Sequence, residues 1–435
     1  VKKIVLLLVL VLLLTAGAVQ GEEGLSRGEF AAMLVEACKM ESALSPADLL
    51  VQKGIMKGYP GGELYLERGI TRLEAVTLVA KTLGVSEVVV VEPADGELLL
   101  DEEHWGYAFY SWLDRFGLME GNPEQLLTRE EGKAFLDSIF SSDPAALAKI
   151  EESQASTKTI NTLRSVISGY VNMVPRPGVE GAEEIPPTAF QMRAVQEMIL
   201  PGTMHQTTVM ETEIPGAGKQ ELATEMYLVD GKIYQKLPSN IETGEMQWVR
   251  YPEELFPNLE QMMSAEDAAS VTPSGLEDYL YYRLLGTAEM NGEEVYELVT
   301  YGRVDDLTKF MEAVAGQLGS NQQMQGILEM GVSMIESMSF WGIQYIGVQD
   351  SMTKSADMYF IINFADELAG TPNPIEALQM KMKIEEMSYN EDLEIVLPDE
   401  ARDAPLMELP EMPEPAELPE TPADAEETEG TVEEG

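Results

Sequence analysis

Leu25-Ser26-Arg27-Gly28-Glu29, Ile70-Thr71-Arg72-Leu73-Glu74 and Leu127-Thr128-Arg129-Glu130-Glu131 are three versions of one phrase. In each, a hydroxyl residue stands three positions before a glutamate, and an amphipathic helical pattern follows. That spacing is a capping box: the hydroxyl accepts from an orphan amide of the first turn, and the glutamate reaches back to the cap. A helix start repeated at long intervals predicts stacked copies of one small unit. The arginine needs a separate reason, because a cation in the first turn opposes the helix macrodipole. Two readings stand side by side: a grip on an anion shared with helix-end amides, or a salt bridge to one of the many carboxylates.

The middle copy is the clearest. A helix predicted over Pro46–Lys53 runs into Gly54-Ile55-Met56-Lys57-Gly58-Tyr59-Pro60-Gly61-Gly62, with glycines where left-handed backbone is needed. A second helix is predicted over Arg72–Leu83, with Leu73, Val76, Val79 and Leu83 on its buried side. The third copy reads His104-Trp105-Gly106-Tyr107-Ala108 through Trp112-Leu113, then Gly117-Leu118-Met119-Glu120-Gly121-Asn122-Pro123, then its own helix. The first copy keeps only the helix Arg27–Met40.

This pattern resembles the S-layer homology (SLH) module, in which helix, Gly-rich loop and second helix repeat three times. The resemblance implies an all-α helical trefoil over residues 22–145. It also implies binding of an anionic secondary cell-wall polysaccharide, often through a pyruvylated sugar. Carried over, Arg72 is the first candidate contact, Arg129 the next and Arg27 the third, with Gly58 and Tyr59 in the groove wall. Trp105 either stacks on a sugar face or belongs to the core. The chain departs from the pattern at Gly61, where the family usually has aspartate, and in Gly121-Asn122-Pro123. The first copy lacks its leading helix and loop.

A chain of 435 residues is too long for one ordinary core, so two folded blocks and tails are expected. The formal charge of −48 argues against nucleic acid or an anionic membrane surface as general partners. Val1-Lys2-Lys3, the apolar run Ile4–Leu14 and Ala16-Gly17-Ala18 read as a signal peptide over 1–21, with a retained N-terminal anchor as the alternative, and the expectation is a secreted protein of the cell wall or cell surface. The single cysteine, Cys38, allows no internal disulfide.

Residues 146–401 change texture. A helix is expected from Ala145 to about Ile167. Alternating runs then predict strands over Met204–Glu213, Leu222–Leu228, Lys232–Lys236, Met246–Arg250, Leu284–Met290 and Val295–Thr300, with hairpin turns at Asp230-Gly231 and Asn291-Gly292. A helical insert between Asp306 and Ser337 carries Met311, Met324, Met330, Met334 and Met338. Strands return over Trp341–Val348, Asp357–Phe364, Leu378–Met387 and Leu393–Leu397. The expectation is an α+β domain, a curved antiparallel sheet with helices against its concave side. The order of elements resembles the LolA/LprG-like group, as do Met226-Tyr227 to Tyr234, Trp248 to Tyr251 and Leu397-Pro398-Asp399-Glu400-Ala401. That resemblance implies an apolar or lipid ligand between sheet and helices. Methionine suits such a groove and an ordinary core alike. From Arg402 to 435 the acidic, Pro-rich composition predicts a disordered tail.

His104 and His205 are the only histidines, and no nucleophile elbow, phosphate loop or dinucleotide fingerprint is present. The reading is a non-catalytic exported protein, without metal or cofactor, anchored non-covalently to wall polysaccharide. The alternative is a wall-tethered carrier or sensor of an apolar ligand. A truncated first copy also leaves room for completion by a second chain, as a homo-oligomer.

Overall fold

The computed structural model describes residues 24–40, 42–85, 99–119, 121–182, 190–214, 218–240, 245–253, 279–305, 307, 334–368 and 371–407. Residues 1–23, residues 86–98, Met311, Met324, Met330 and the tail from 408 lie outside the described residues. Six helices come first: α1 (Arg27–Ala37), α2 (Pro46–Gln52), α3 (Arg72–Thr82), α4 (Tyr107–Arg115), α5 (Arg129–Ile139) and α6 (Pro144–Thr157). The strands are β1 (Thr162–Pro175), β2 (Phe190–Ile199), β3 (Thr203–Ile214), β4 (Gly218–Val229), β5 (Lys232–Asn240), β6 (Glu245–Arg250), β7 (Leu280–Met290), β8 (Glu293–Val304), β9 (Ile335–Gly347) and β10 (Thr353–Phe364). A small hairpin, β11 (Glu367–Leu368) and β12 (Thr371–Pro372), precedes β13 (Ile375–Tyr389), and α7 (Asp399–Arg402) follows. Among the described residues no helix is long and apolar enough to cross a membrane.

The expected architecture, an all-α trefoil followed by an α+β domain, is not what the chain forms. One eleven-stranded antiparallel sheet dominates, in the order β6-β5-β4-β3-β2-β1-β13-β10-β9-β8-β7, and the helices are few and small. The helices of residues 27–139 do not close a core of their own. Phe30, Val76, Trp112 and Phe116 share one buried cluster with Val299, Tyr301, Trp341 and Tyr359 of the sheet. The Trp112 ring lies 5.3 Å from Trp341 and 5.2 Å from Tyr359. Helices this short present a single apolar stripe, and the sheet supplies what they need to bury it against.

Nor are the helices confined to one side. Cross-strand partners share a face, so the register puts Trp341, Tyr359 and Tyr301 on one side and Phe340, Met358 and Leu298 on the other. Helices α1–α5 cover the first. Ala146 and Ile150 of α6 pack against the second, with Leu163, Phe340 and Ile384.

Four local expectations are corrected. The helix predicted through Ile167 stops at Thr157, and β1 begins at Thr162. Met338, expected on a helix, stands in β9. Leu393–Leu397 is no strand: Ile395 and Leu397 instead cross Tyr227, Tyr234 and Trp248, where Ala401 is fully buried. The chain then bridges Leu406 to Arg250 in parallel along edge strand β6, so residues 402–407 are held although expected in the tail.

Candidate functional site

The three phrases meet in a ring. Leu25 N–H donates to Leu127 O at 2.8 Å, Ile70 N–H to Leu25 O at 2.8 Å and Leu127 N–H to Ile70 O at 3.0 Å. All three capping boxes are closed, by Ser26 with Glu29, Thr71 with Glu74 and Thr128 with Glu131. Each arginine faces the glutamate of the next phrase: Arg27 to Glu74 at 3.9 Å, Arg72 to Glu131 at 3.5 Å, and Arg129 to Glu29. The cations that oppose their own helix dipoles are therefore answered by neighbouring carboxylates, the second of the two readings. Hydrogen bonds from Ser26 hold the Glu29 carboxyl below its ordinary range, and Arg129 adds to this. Thr128, with Arg72, does the same for Glu131.

The three junctions are not equivalent. Beside Arg27 opens a cleft of about 630 Å³, lined among others by Lys57, Gly58, Tyr59, Arg68, Glu74, Lys81, His104 and Trp105. Arg27 is only 6% exposed, and its Nε is buried with no hydrogen-bond partner. The guanidinium groups of Arg27 and Arg68 lie 4.7 and 4.8 Å from the centroid of the Tyr59 ring. Tyr59 donates to Glu74, and Arg68 donates to both. Burial first, and the Glu74 carboxylate second, push the Tyr59 phenol up, so it stays a donor. Gly58 is required by close approach: a Cβ there would meet the Gly62 carbonyl oxygen at 2.6 Å. Trp105 is 60% exposed at the cleft mouth, which removes it from the core, and its ring lies 5.6 Å from His104.

Four of the six predicted residues thus come together: Arg27, Gly58, Tyr59 and Trp105. Arg72 and Arg129 do not line this cleft. Arg72 packs over Gly121, where a Cβ would sit 3.3 Å from its Nε. Arg129 has a side chain 62% exposed and spends it on Glu29. The first copy lacks its own loop, yet its groove is walled by the loop of the second copy and the tryptophan of the third. Lys57, Arg68, Lys81 and His104 were missed. Lys57 lay within the quoted loop, and only its place among other cations in a very acidic chain could have singled it out.

A second feature lies on the sheet face under α6. Met198 opposes Met204, Met192 opposes Met210 and Met358 lies in register with Met382. Met226, Met380 and Met173 share the same face. Met198, Met204 and Met358 are buried, whereas Met192, Met210, Met226, Met382, Met380 and Met173 are half-buried. The opposite face is charged, with Glu197, His205 and Glu225 in contact: His205 Nδ1 lies 3.3 Å from Glu197 and Nε2 3.1 Å from Glu225.

No family model matches the chain. A stretch of 85 residues is 33% identical to cell surface glycoprotein 1 of Acetivibrio thermocellus, covering 18% of this chain and 4% of that protein's length. Among solved structures, LprF from Mycobacterium bovis overlaps 59% of this chain and 99% of its own, at 13% identity and a TM-score of 0.30. The lipoprotein LppX of Mycobacterium tuberculosis overlaps 59% of this chain and 100% of its own, at 12% identity and a TM-score of 0.26. A LolA superfamily protein from Nitrosomonas europaea overlaps 58% and 95%, at 10% identity and a TM-score of 0.19.

Proposed function

We propose that this is a non-catalytic protein of the cell exterior that carries or senses an apolar ligand on the methionine-lined face of its sheet. The observation that carries this reading is the set of half-buried methionines on one face of the sheet from β4 to β13, namely Met226, Met210, Met192, Met173, Met380 and Met382. Unbranched, polarizable side chains adapt to ligands of differing shape. The surface location is supported by the name of the matched glycoprotein. Cys38 supplies no nucleophile at neutral pH, since burial first and Asp305 second push its thiol up to about 12. The test is mass spectrometry of a solvent extract of the purified full chain, with binding of the fluorescent probe phenylnaphthylamine alongside. Co-purified lipid and a saturable fluorescence rise support the carrier. Absence of both removes it.

A second reading concerns the cleft and is favoured by the unsatisfied Arg27 Nε beside an exposed Trp105. A buried donor without a partner costs about 1–3 kcal/mol, which a bound oxygen would recover. Guanidinium, lysine and flat aromatic surfaces together suit an anionic sugar polymer, and the cleft would tether the protein to wall polysaccharide. Cosedimentation with purified sacculi, before and after removal of the secondary polymer, tests it. Pelleting that is independent of the polymer, or absent, sinks the tether without touching the carrier.

A further inference from the structure

Resting on the carrier reading, we infer that the ligand of the methionine face is an uncharged lipid, with hydroxyl, ester or amide groups as its polar part. The register supplies the argument. From Leu222–Leu228 on β4, across β3, β2, β1, β13 and β10, to Met338–Ile346 on β9, the aligned positions of this face hold no charged side chain among the described residues. The intervening positions on the same strands carry Glu225, His205, Arg193, Lys381 and Asp357 to the other side. In a chain with a formal charge of −48, such a one-sided distribution selects against a charged ligand. An anionic head brought here would lose hydration and find no counter-charge on the aligned strand positions.

The face is not purely apolar, however. Gln196 opposes Gln206 and Thr208 opposes Thr224, forming a neutral polar strip between the methionines. Gln206 Nε2 donates to Thr208 Oγ1 at 2.9 Å, whereas Gln196 Nε2 reaches only the sulfur of Met204, at 3.1 Å. Sulfur is a weak acceptor, so that amide is under-satisfied and half-buried. A ligand hydroxyl or ester carbonyl matches such groups without a charge. Lys149 of α6, which reaches the rim over the Tyr296 ring, is already bonded to Glu152 at 2.7 Å.

The experiment displaces phenylnaphthylamine from the full-length protein with dioleoylglycerol or with dioleoyl phosphatidate, which share their acyl chains. The dioleoylglycerol is expected to compete at a concentration about tenfold or more below that of the phosphatidate. Equal or better competition by phosphatidate overturns the neutral-ligand inference and leaves the carrier standing. If neither lipid competes and no probe binds, the carrier reading falls and takes the inference with it. Gln206→Glu, checked for an unchanged circular dichroism spectrum, is expected to weaken dioleoylglycerol competition roughly tenfold or more. Gln206→Met is expected to keep probe binding while losing affinity for the hydroxyl-bearing glyceride. A Gln206→Glu variant that binds both lipids as the parent does would count against the inference.

Discussion

Arg27 and Arg129 occupy the same place in the same phrase and end in opposite circumstances. Arg27 is 6% exposed, rests on a tyrosine ring and leaves its Nε unsatisfied in a cleft. Arg129 is largely in solvent and closed on Glu29. The phrase builds the ring, but the neighbours decide whether a junction becomes a site: a loop folded tightly at Gly58 and an exposed indole face one junction and not the other. The largest effect bears on whether that ring is held as one body with the sheet. Trp112→Ala would remove the side chain packed against Trp341 and, edge-on, against Tyr359 and should destabilise the protein by about 3–5 kcal/mol, in a single denaturant transition reported by both helix and strand signals. Two separate transitions, with only the helical one shifted, would break the picture of a shared core.

Smaller effects sharpen the contrast between junctions. Gly58→Ala forces the loop off the Gly62 carbonyl and is expected to cost roughly 1–3 kcal/mol, read from thermal unfolding, while abolishing any sugar binding by the cleft. Arg27→Gln should weaken polysaccharide pelleting about tenfold, near 1.4 kcal/mol, whereas Arg129→Gln should leave it within about twofold. Equal losses from both would mean that the open cleft is not what binds. Arg129→Gln should also leave stability within about 0.5 kcal/mol, as befits an exposed pair.

Acid gives the smallest and most specific effect. Glu29 and Glu131 titrate lower in the folded chain than in the unfolded one, because their ionised forms accept from the caps. Their contribution is complete above the ordinary carboxylate range and is lost as pH falls through the depressed folded values. The melting temperature should therefore fall between pH 5 and pH 3, and fall less in Glu131→Gln. An identical fall in that variant would remove the ring from the explanation.

Much of the sheet was legible. Asp230-Gly231 and Asn291-Gly292 turn with positive φ at both residues, 52° and 72°, then 52° and 84°, as two-residue hairpins require. Strand β2 was not, because Gln-Met-Arg-Ala-Val-Gln-Glu-Met is built from good helix formers and becomes a strand only by pairing with β1 and β3. The helix-to-sheet core was equally hidden: Trp112 and Trp341 each read as ordinary interior residues of their own segments. Gly58 and Tyr59 reach the cleft as the resemblance to the SLH module implies, but nothing local distinguishes Arg27 from Arg72. The cleft depends on loops contributed by other copies, and sequence spacing carries no information about which groove those loops leave open.

The salt bridge between Arg115 of α4 and Asp357 of β10 joins residues 242 positions apart. The helices precede in sequence the strands they pack on, so their aromatic underside meets Trp341 and Tyr359 only once β9 and β10 have been made. Loops of such length close slowly, and a protein dominated by distant contacts folds slowly. During that interval Trp112 and Phe116 lack the sheet contacts that bury them in the folded chain. Closure of this core thus waits on β9 and β10, and its aromatic residues are the patch that a holding chaperone would cover meanwhile.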